Sequence, residues 1–257
     1  MGTVARAVRV IAAVADLDEP GTIARIASAT GLPASTVHRL LALLAADSIV
    51  EHDAASHTYR VGPELYRIAA RTVATVGLAD VVQPILQELA DDFGETVLLG
   101  RYSPGAPSLA FIGRADGNHL LQYRIELHRP GSVVWGASGK AVAAFLEPAD
   151  ALRALAAERA KPAEGRSSEG HELPEPDEFV RQLSLIRERG YASSEGEKLP
   201  QARGLAVPIF GLRGVEGSLT LTYPRDRPPI GDIESIIDRL QSGSARIARA
   251  LGTGVNR

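Results

Sequence analysis

The chain has 257 residues, which suits about two domains at roughly 150 residues each. It contains no cysteine, so disulfides, thiolate nucleophiles, iron–sulfur clusters and cysteine-type zinc sites are excluded within the chain. Against 31 acidic residues stand 28 basic ones, and the net charge of −3 argues against a protein that coats nucleic acid through bulk positive charge. This net charge does not exclude DNA binding through a small basic patch.

The basic residues are mostly arginine, since only Lys140, Lys161 and Lys198 are lysine. We interpret this bias as a trace of a GC-rich genome and not as chemistry. The N-terminal segment lacks the apolar core of a signal peptide, and no apolar run approaches the roughly 18 residues of a membrane span. We therefore expect a cytoplasmic protein with no membrane partner.

Apolar periodicity predicts three helices in the first 46 residues, at 3–17, 22–29 and 33–46. The stripe of the first helix runs from Val4 through Ala7, Val8, Ile11, Val14 and Ala15 to Leu17. Thr22 is a candidate cap for the second helix, and Gly31 stands where a left-handed residue would end it. Pro33 is expected to open the third helix at its first position, where its missing N–H costs nothing.

Alternating residues at 48–52 and 57–61 predict two strands that a loop at 53–56 joins into a hairpin. Helix, helix, tight turn, helix and hairpin make a winged helix-turn-helix, assigned to residues 1–62. A linker helix is assigned to 63–78, with its helical part at 63–76. The first domain is thus predicted to be a DNA-binding module.

Residues 79–257 are predicted to form a second, α+β domain with a mixed sheet and helices at its beginning, middle and end. Its predicted helices are 79–92, 137–146, 148–158, 177–189 and 230–251. Its predicted strands are 96–102, 108–114, 119–126, 191–195, 204–210 and 215–223. Residues 159–177, rich in Lys, Glu, Gly, Ser and Pro, are interpreted as a loop.

The third helix offers polar side chains at its N-terminal end, as a recognition helix does. Val37, Leu40, Leu41 and Leu44 take its apolar face, which leaves Ser35, Thr36, His38 and Arg39 toward the other side. Arginine can pair bidentately with guanine or reach a phosphate. Five further candidate DNA contacts are Arg6, Arg25, His57, Tyr59 and Arg60. The alternative is a solvated face on an ordinary helix.

The order of motifs resembles the IclR family of bacterial transcription regulators. The run from Thr30 to Leu41 (TGLPASTVHRLL) is similar to that family's turn and recognition helix, and 59–62 (YRVG) to its wing exit. The resemblance spans nearly the whole chain and continues through 94–97 (GETV), 137–141 (ASGKA), 189–192 (RGYA), 206–208 (AVP) and 250–252 (ALG).

The resemblance implies that the first domain binds double-stranded operator DNA and that its first and linker helices help to form a homodimer. Such dimers commonly associate into tetramers. It also implies a GAF-like second domain that binds a small organic effector, often a carboxylate from a catabolic pathway. Repression is the more frequent mode of regulation in the family, so we expect a repressor.

The resemblance also places an effector pocket in the second domain. Its expected residues are Trp135, Ala137, Ser138, Ser194, Glu197, Gly204, Thr220 and Thr222. Thr220 and Thr222 point to one face of their strand, where paired hydroxyls could hold a carboxylate, although threonine also simply favours strands. Trp135 either lines this pocket or fills the core. Gly204 and Ser194 stand where the family often has cysteine and aspartate, which puts a small glyoxylate-like ligand in doubt.

We find no catalytic set, no metal site and no cofactor motif in the sequence. The segment 136–140 (GASGK) hints at a phosphate loop but lacks the leading glycine, and small residues for close helix packing explain it better. His119 and His128 are nine residues apart with no carboxylate motif beside them. The alternative function is an enzyme or metabolite-binding module whose N-terminal helices only dimerise.

Overall fold

The computed structural model describes residues 2–76, 78–119, 123, 125–161, 173–212, 214–227 and 229–250. The chain divides into two compact units, Met1–Gly77 and Leu78–Arg257. The helix at 63–76, which the sequence analysis treated as a linker, belongs to the first unit.

The first unit is a winged helix-turn-helix. Its elements are α1 (Thr3–Ala15), α2 (Ile23–Thr30), α3 (Ala34–Ala46), β1 (Val50–Asp53), β2 (Thr58–Val61) and α4 (Pro63–Val76). Strands β1 and β2 pair antiparallel and form the wing. Apolar side chains from the first three helices and both strands form one core, with Val10, Val14, Ile26, Val37, Leu40, Leu41, Val50 and Tyr59 buried.

Helix α1 departs from its predicted stripe. Val10 and Val14 are buried in the core, whereas Val4 and Val8 are 79% and 59% exposed. Residues four apart share one face of a helix, so these two pairs mark two different apolar faces of α1. Only one of the two faces packs within its own unit.

The turn between α2 and α3 follows the predicted chemistry with one correction. The Thr22 hydroxyl accepts a hydrogen bond from the Arg25 N–H at 3.4 Å, and Gly31 adopts the left-handed conformation at φ +64°. Pro33 is the residue before α3 and not its first residue. Its carbonyl accepts a hydrogen bond from the Val37 N–H at 3.1 Å, which is what a capping residue does.

The second unit is an α+β domain. Its helices are α5 (Leu78–Phe93), α6 (Gly136–Ala143), α7 (Pro148–Arg159), α8 (Pro176–Arg189) and α9 (Ile233–Ala250). Its strands are β3 (Thr96–Ser103), β4 (Ser108–Ala115), β5 (Ala192–Glu195), β6 (Ala202–Gly211) and β7 (Gly214–Pro224). Within the described ranges these strands form one sheet in the order β4-β3-β7-β6-β5.

The sheet corrects one expectation and leaves another outside the described residues. Every pairing between its described strands is antiparallel, so within the described ranges the sheet is not the mixed one that was expected. Short connections join β3 to β4, β5 to β6 and β6 to β7, and strands joined in this way run antiparallel. The predicted strand at 119–126 falls largely outside the described residues, as do residues 162–172 of the predicted loop and the end of the predicted closing helix at 251.

The two faces of this sheet carry different packing. Val97, Leu205, Leu219 and Leu221 point to one face and pack with buried side chains of α5 and α9. The residues between them along each strand point to the opposite face, where α6 packs on β5 and β6, and side chains of α7 and α8 belong to the same buried cluster as Ala192 and Ala206. None of the helices in the described ranges is both long enough and apolar enough to cross a membrane.

Candidate DNA interface and ligand cavity

Helix α3 presents a polar surface at its N-terminal end. Ser35, His38 and Arg39 are exposed and Thr36 is half-buried, while the other side of the helix packs into the core. No salt bridge is present at Arg39 in the described part of the chain. The hydroxyls, the imidazole and the guanidinium are therefore available to base edges or phosphates.

Side-chain hydrogen bonds hold the turn that precedes α3. The buried Thr30 hydroxyl donates to the Ile26 carbonyl at 2.7 Å, and it accepts from the Leu32 N–H at 3.4 Å. Arg9 of α1 donates to the Thr30 carbonyl at 3.3 Å. These contacts connect the end of α2 to α1. The turn that leads into the polar end of α3 therefore starts from a fixed position.

Of the remaining candidate DNA contacts, some are accessible to solvent and, within the described residues, free of ion pairs, and one is already in an ion pair. Arg25 and His57 are exposed and Arg6 is half-buried. Arg60 is exposed, but its guanidinium pairs with Glu51, directly opposite on the other wing strand, at 2.7 Å. An exposed pair of this kind contributes only about 0–1 kcal/mol, so a phosphate can compete for Arg60.

Tyr59 is a correction to the sequence analysis. Its side chain is only 6% exposed and belongs to the core of the first unit, with the His52 ring stacked at a centroid distance of 4.5 Å. Its backbone N–H donates to the Gly21 carbonyl at 2.8 Å. A buried aromatic ring adds more through packing than through a surface contact, so Tyr59 holds the wing against the helices and does not present its ring to DNA.

The second unit contains a cavity of about 360 Å³ between α6 and the sheet. Seven of the eight expected effector residues line it: Ala137, Ser138, Ser194, Glu197, Gly204, Thr220 and Thr222. Apolar walls come from Leu98, Phe111, Ile125 and Leu199. The cavity therefore combines apolar surface with hydroxyl groups, as binding sites for small molecules do.

Strand register brings the hydroxyl residues together. Thr222 of β7 stands beside Gly204 of β6, which in turn stands beside Ser194 of β5. Thr220 is two residues along β7 and lies beside Leu98 of β3. The Thr220 side chain is 3% exposed, and its Oγ1 is buried with no hydrogen-bond partner among the described residues.

The N-terminus of α6 closes one end of the cavity, and its first N–H groups already have partners. The Gly136 N–H donates to Glu197 Oε2 at 2.9 Å, and the Ala137 N–H donates to Ser194 Oγ at 2.8 Å. Glu197 also forms an ion pair with Lys140, through its other oxygen. A carboxylate of the chain itself thus occupies the positive end of this helix.

Trp135 is the second correction, because it does not line the cavity. It is 4% exposed and packs in the core between α6, α7 and α8 with Val133 and Val134 as neighbours in the chain. Of the two roles left open for the single tryptophan, core filling is the one observed. The sequence pattern, a large apolar residue just before a buried helix, is the same whether the residue lines a cavity or fills the core.

The three lysines form a cluster that the sequence analysis missed. Lys198 donates to the Ser132 carbonyl at 3.2 Å, Lys161 donates to the buried carboxylate of Glu158 at 2.7 Å, and Lys140 pairs with Glu197. Burial lowers the pKa of Lys198 to about 8, against the opposing effect of the Glu158 and Glu197 carboxylates. The only signal in the sequence is the scarcity of lysine, which the sequence analysis interprets as codon bias.

The weaker motifs take structural roles. A Cβ at Gly139 would lie 2.9 Å from the Ser132 carbonyl oxygen, so the glycine in the GASGK segment permits close backbone packing. Within the described residues no group of three or more histidine and acidic side chains is placed to hold a metal ion.

Comparison with known protein families accounts for both units. Residues 3–54 match the model of the IclR helix-turn-helix domain, and residues 70–249 match that of the bacterial transcriptional regulator IclR C-terminal domain. The chain belongs to the IclR family. It is a DNA-binding transcriptional regulator, and the relatives reported below are named as regulators and not as enzymes.

Among its relatives is the HTH-type transcriptional regulator BhcR of Paracoccus denitrificans, 32% identical over 199 residues, which are 75% of this chain and 67% of BhcR. The crystal structure of an IclR regulator from Silicibacter sp. TM1040 has a TM-score of 0.85 at 26% identity, covering 99% of this chain and 97% of that one. An IclR homolog from Microbacterium hydrocarbonoxydans, crystallised with 4-hydroxybenzoate, has a TM-score of 0.71 at 23% identity, covering 98% and 99%.

Proposed function

We propose that this IclR-family chain is a repressor of a catabolic or metabolic operon and that a small molecule bound in the cavity controls its affinity for operator DNA. The proposal rests on the cavity itself, which Thr220 lines; the buried hydroxyl of this residue has no hydrogen-bond partner among the described residues. A buried hydroxyl without a hydrogen bond is costly, and a ligand that supplies one relieves that cost. Because operator DNA lies in the bacterial cytoplasm, we infer a cytoplasmic location.

We propose that α3 reads the operator through Ser35, His38 and Arg39, with Arg25, His57 and Arg60 at phosphates. Residues 1–62 hold six acidic and five basic residues, so affinity rests on a few placed side chains. A homodimer doubles those contacts and matches a near-palindromic site. Val4 and Val8, exposed on α1, supply an apolar surface for the second copy, and tetramers can follow from further pairing.

The DNA-binding proposal is tested by fluorescence anisotropy with a labelled duplex from the chain's own upstream region. Arg39→Ala is expected to weaken sequence-specific binding at least about tenfold, because a bidentate base contact contributes about 1–3 kcal/mol. Arg101→Ala removes the same charge from an exposed site in the second unit and serves as the control. Equal affinity of the Arg39 variant and the control would reject α3 as the reading element.

The effector proposal is tested in the same assay with benzoate, 4-hydroxybenzoate, phenylacetate and hexanoate, each paired with its amide. The pairing covers the organic acid that the sequence analysis predicts and an uncharged alternative of the same shape. We expect one of these compounds to change the DNA affinity of the wild type. The double variant Thr220→Val, Thr222→Val should bind DNA equally well and lose the response, and a response that survives would reject this cavity as the sensor.

The alternative of a metabolite-binding module whose first unit only dimerises makes the opposite prediction. In that case the Arg39 variant and the wild type would bind the upstream duplex no better than an unrelated duplex. Specific retention by the wild type therefore separates the two functions.

A further inference from the structure

The α6 end of the cavity is built around an internal carboxylate. Glu197 accepts a hydrogen bond from the Gly136 N–H at 2.9 Å, and its other oxygen pairs with Lys140. The side chains of Glu197 and Lys140 are only 18% and 12% exposed, so water screens this pair weakly. The charge that a helix N-terminus and a lysine would otherwise offer to a bound acid is already neutralised.

The lining cations Arg203 and Lys198 have hydrogen-bond partners as well. Arg203 pairs with Glu195 at 2.9 Å, and the Lys198 ammonium group donates to the Ser132 carbonyl at 3.2 Å. Among the described lining residues, the cations Lys198 and Arg203 are matched in number by the anions Glu126 and Glu197. A ligand carboxylate therefore meets lining cations that already have partners, and these offset less of the free energy lost when the carboxylate is dehydrated.

The polar groups that are left are hydroxyls. Thr220 Oγ1 is buried and has no partner among the described residues, and Ser138 and Thr222 line the same space. A hydroxyl can donate to or accept from a neutral oxygen or nitrogen without a counter-ion. The rest of the lining is largely apolar, with Leu98, Phe111 and Leu199 as its larger side chains.

We propose that the cavity selects an uncharged effector, with an apolar body and a hydroxyl, carbonyl or amide group that meets Thr220, and that Glu197 keeps carboxylates away from the α6 end. This proposal rests on the effector function proposed above, and it replaces the organic acid that the sequence analysis expected. Glu197 is then a specificity-determining residue, because it repels at short range the very group that a free helix N-terminus would attract.

The test measures binding of matched acids and amides to the full-length protein by titration calorimetry near neutral pH, where the acids are ionised. The probes are benzoate and benzamide, 4-hydroxybenzoate and 4-hydroxybenzamide, and hexanoate and hexanamide. For the wild type we expect the amide of at least one pair to bind at least about tenfold more tightly than its acid, a difference of about 1.4 kcal/mol. Thr220→Val should weaken the binding of that amide.

Glu197→Gln keeps an oxygen for the Gly136 N–H and removes the charge, which leaves Lys140 to attract an acid. We expect this variant to raise the affinity for the acid of the same pair at least about tenfold and to change that for the amide by less than about threefold. Glu88→Gln is the matched control, since it breaks an ion pair with Arg246 on α9, across the sheet from the cavity. It should leave both affinities unchanged.

An acid that binds the wild type as tightly as its amide, or more tightly, would overturn the exclusion of carboxylates while leaving the effector function intact. If no probe binds, both this proposal and the cavity's role as a sensor are contradicted. If Glu197→Gln fails to fold, the ratio of acid to amide affinity in the wild type still decides the matter.

Discussion

Ser194 and Ala137, 57 residues apart in the chain, are joined by a hydrogen bond of 2.8 Å from the Ala137 N–H to the Ser194 hydroxyl. The bond ties β5, at the edge of the sheet, to the first turn of α6. Both residues line the cavity, so this contact holds the strand and the helix that form two of its walls in place.

Ser194→Ala is expected to destabilise the second unit by about 1–3 kcal/mol, because it leaves the buried Ala137 N–H without an acceptor. The measurement is urea denaturation followed by circular dichroism. Ser193→Ala, at the exposed neighbouring position on the same strand, should cost less than about 0.5 kcal/mol. Equal midpoints for the two variants would show that the Ala137 N–H finds another partner, such as water.

Gly204→Val is expected to narrow the cavity and weaken effector binding at least about tenfold. A Cβ at Gly204 would lie 3.2 Å from Ala137 Cβ and 3.3 Å from Ser194 Oγ, so a branched side chain must project into the bound molecule's space. Titration calorimetry with the tightest-binding probe measures the loss. A Cβ at Gly105 would have no atom within 4 Å, so Gly105→Val is the control and should bind normally.

Gly31→Ala is expected to destabilise the first unit by about 1 kcal/mol or more, because Gly31 has a φ of +64° and a Cβ is unfavourable in that conformation. The Cβ itself would contact no atom within 4 Å, so the cost is conformational and not steric crowding. Gly31→Asn is the matched variant and should lose less stability, since asparagine tolerates the left-handed region. Thermal melts of both variants test the order, and an alanine variant as stable as the wild type would contradict it.

Lys198 is expected to make the stability of the second unit depend on alkaline pH. Its pKa is lowered to about 8 in the folded chain, from a usual value of 10.5, so the unfolded chain binds more protons between these values. Stability should therefore rise with pH across this window, by at most about 1.4 kcal/mol per pH unit.

Lys198→Met removes this dependence, and the comparison with the wild type isolates it from other titrating groups. The stability of the variant minus that of the wild type should fall as the pH rises through the window between the two pKa values. Urea denaturation at several alkaline pH values gives this difference. A constant difference would mean that Lys198 keeps its usual pKa.

Local sequence patterns were enough to predict most of the fold. The spacing of Val37, Leu40 and Leu41 placed the buried face of α3, and Gly31 marked the turn before it. These predictions succeed because helix periodicity and turn conformation depend on residues a few positions apart. The sheet direction was wrong because a mixed and an antiparallel sheet share the same alternation within each strand.

The cavity could be predicted only in part, for a similar reason. The resemblance to the IclR family placed Thr220 and Thr222 at the pocket, and alternation along one strand gave them a common face. The contacts of Glu197 with Gly136 and Lys140 join positions about sixty residues apart, and no spacing rule connects them. Tyr59 was misplaced and the role of Trp135 stayed open, because a large aromatic residue is equally compatible with a binding surface and with a core.

Gathering every lysine of the chain around one cluster has a practical consequence for labelling. Apart from the amino terminus, the first unit has no primary amine, so acylation reagents modify lysine side chains, and lysine-specific proteases cleave the backbone, only in the second unit. Peptide mapping after such a treatment reads out Lys140, Lys161 and Lys198 individually. The three lysine amines can thus serve as natural probes of this part of the second unit. Their accessibility can be followed without introducing a foreign label.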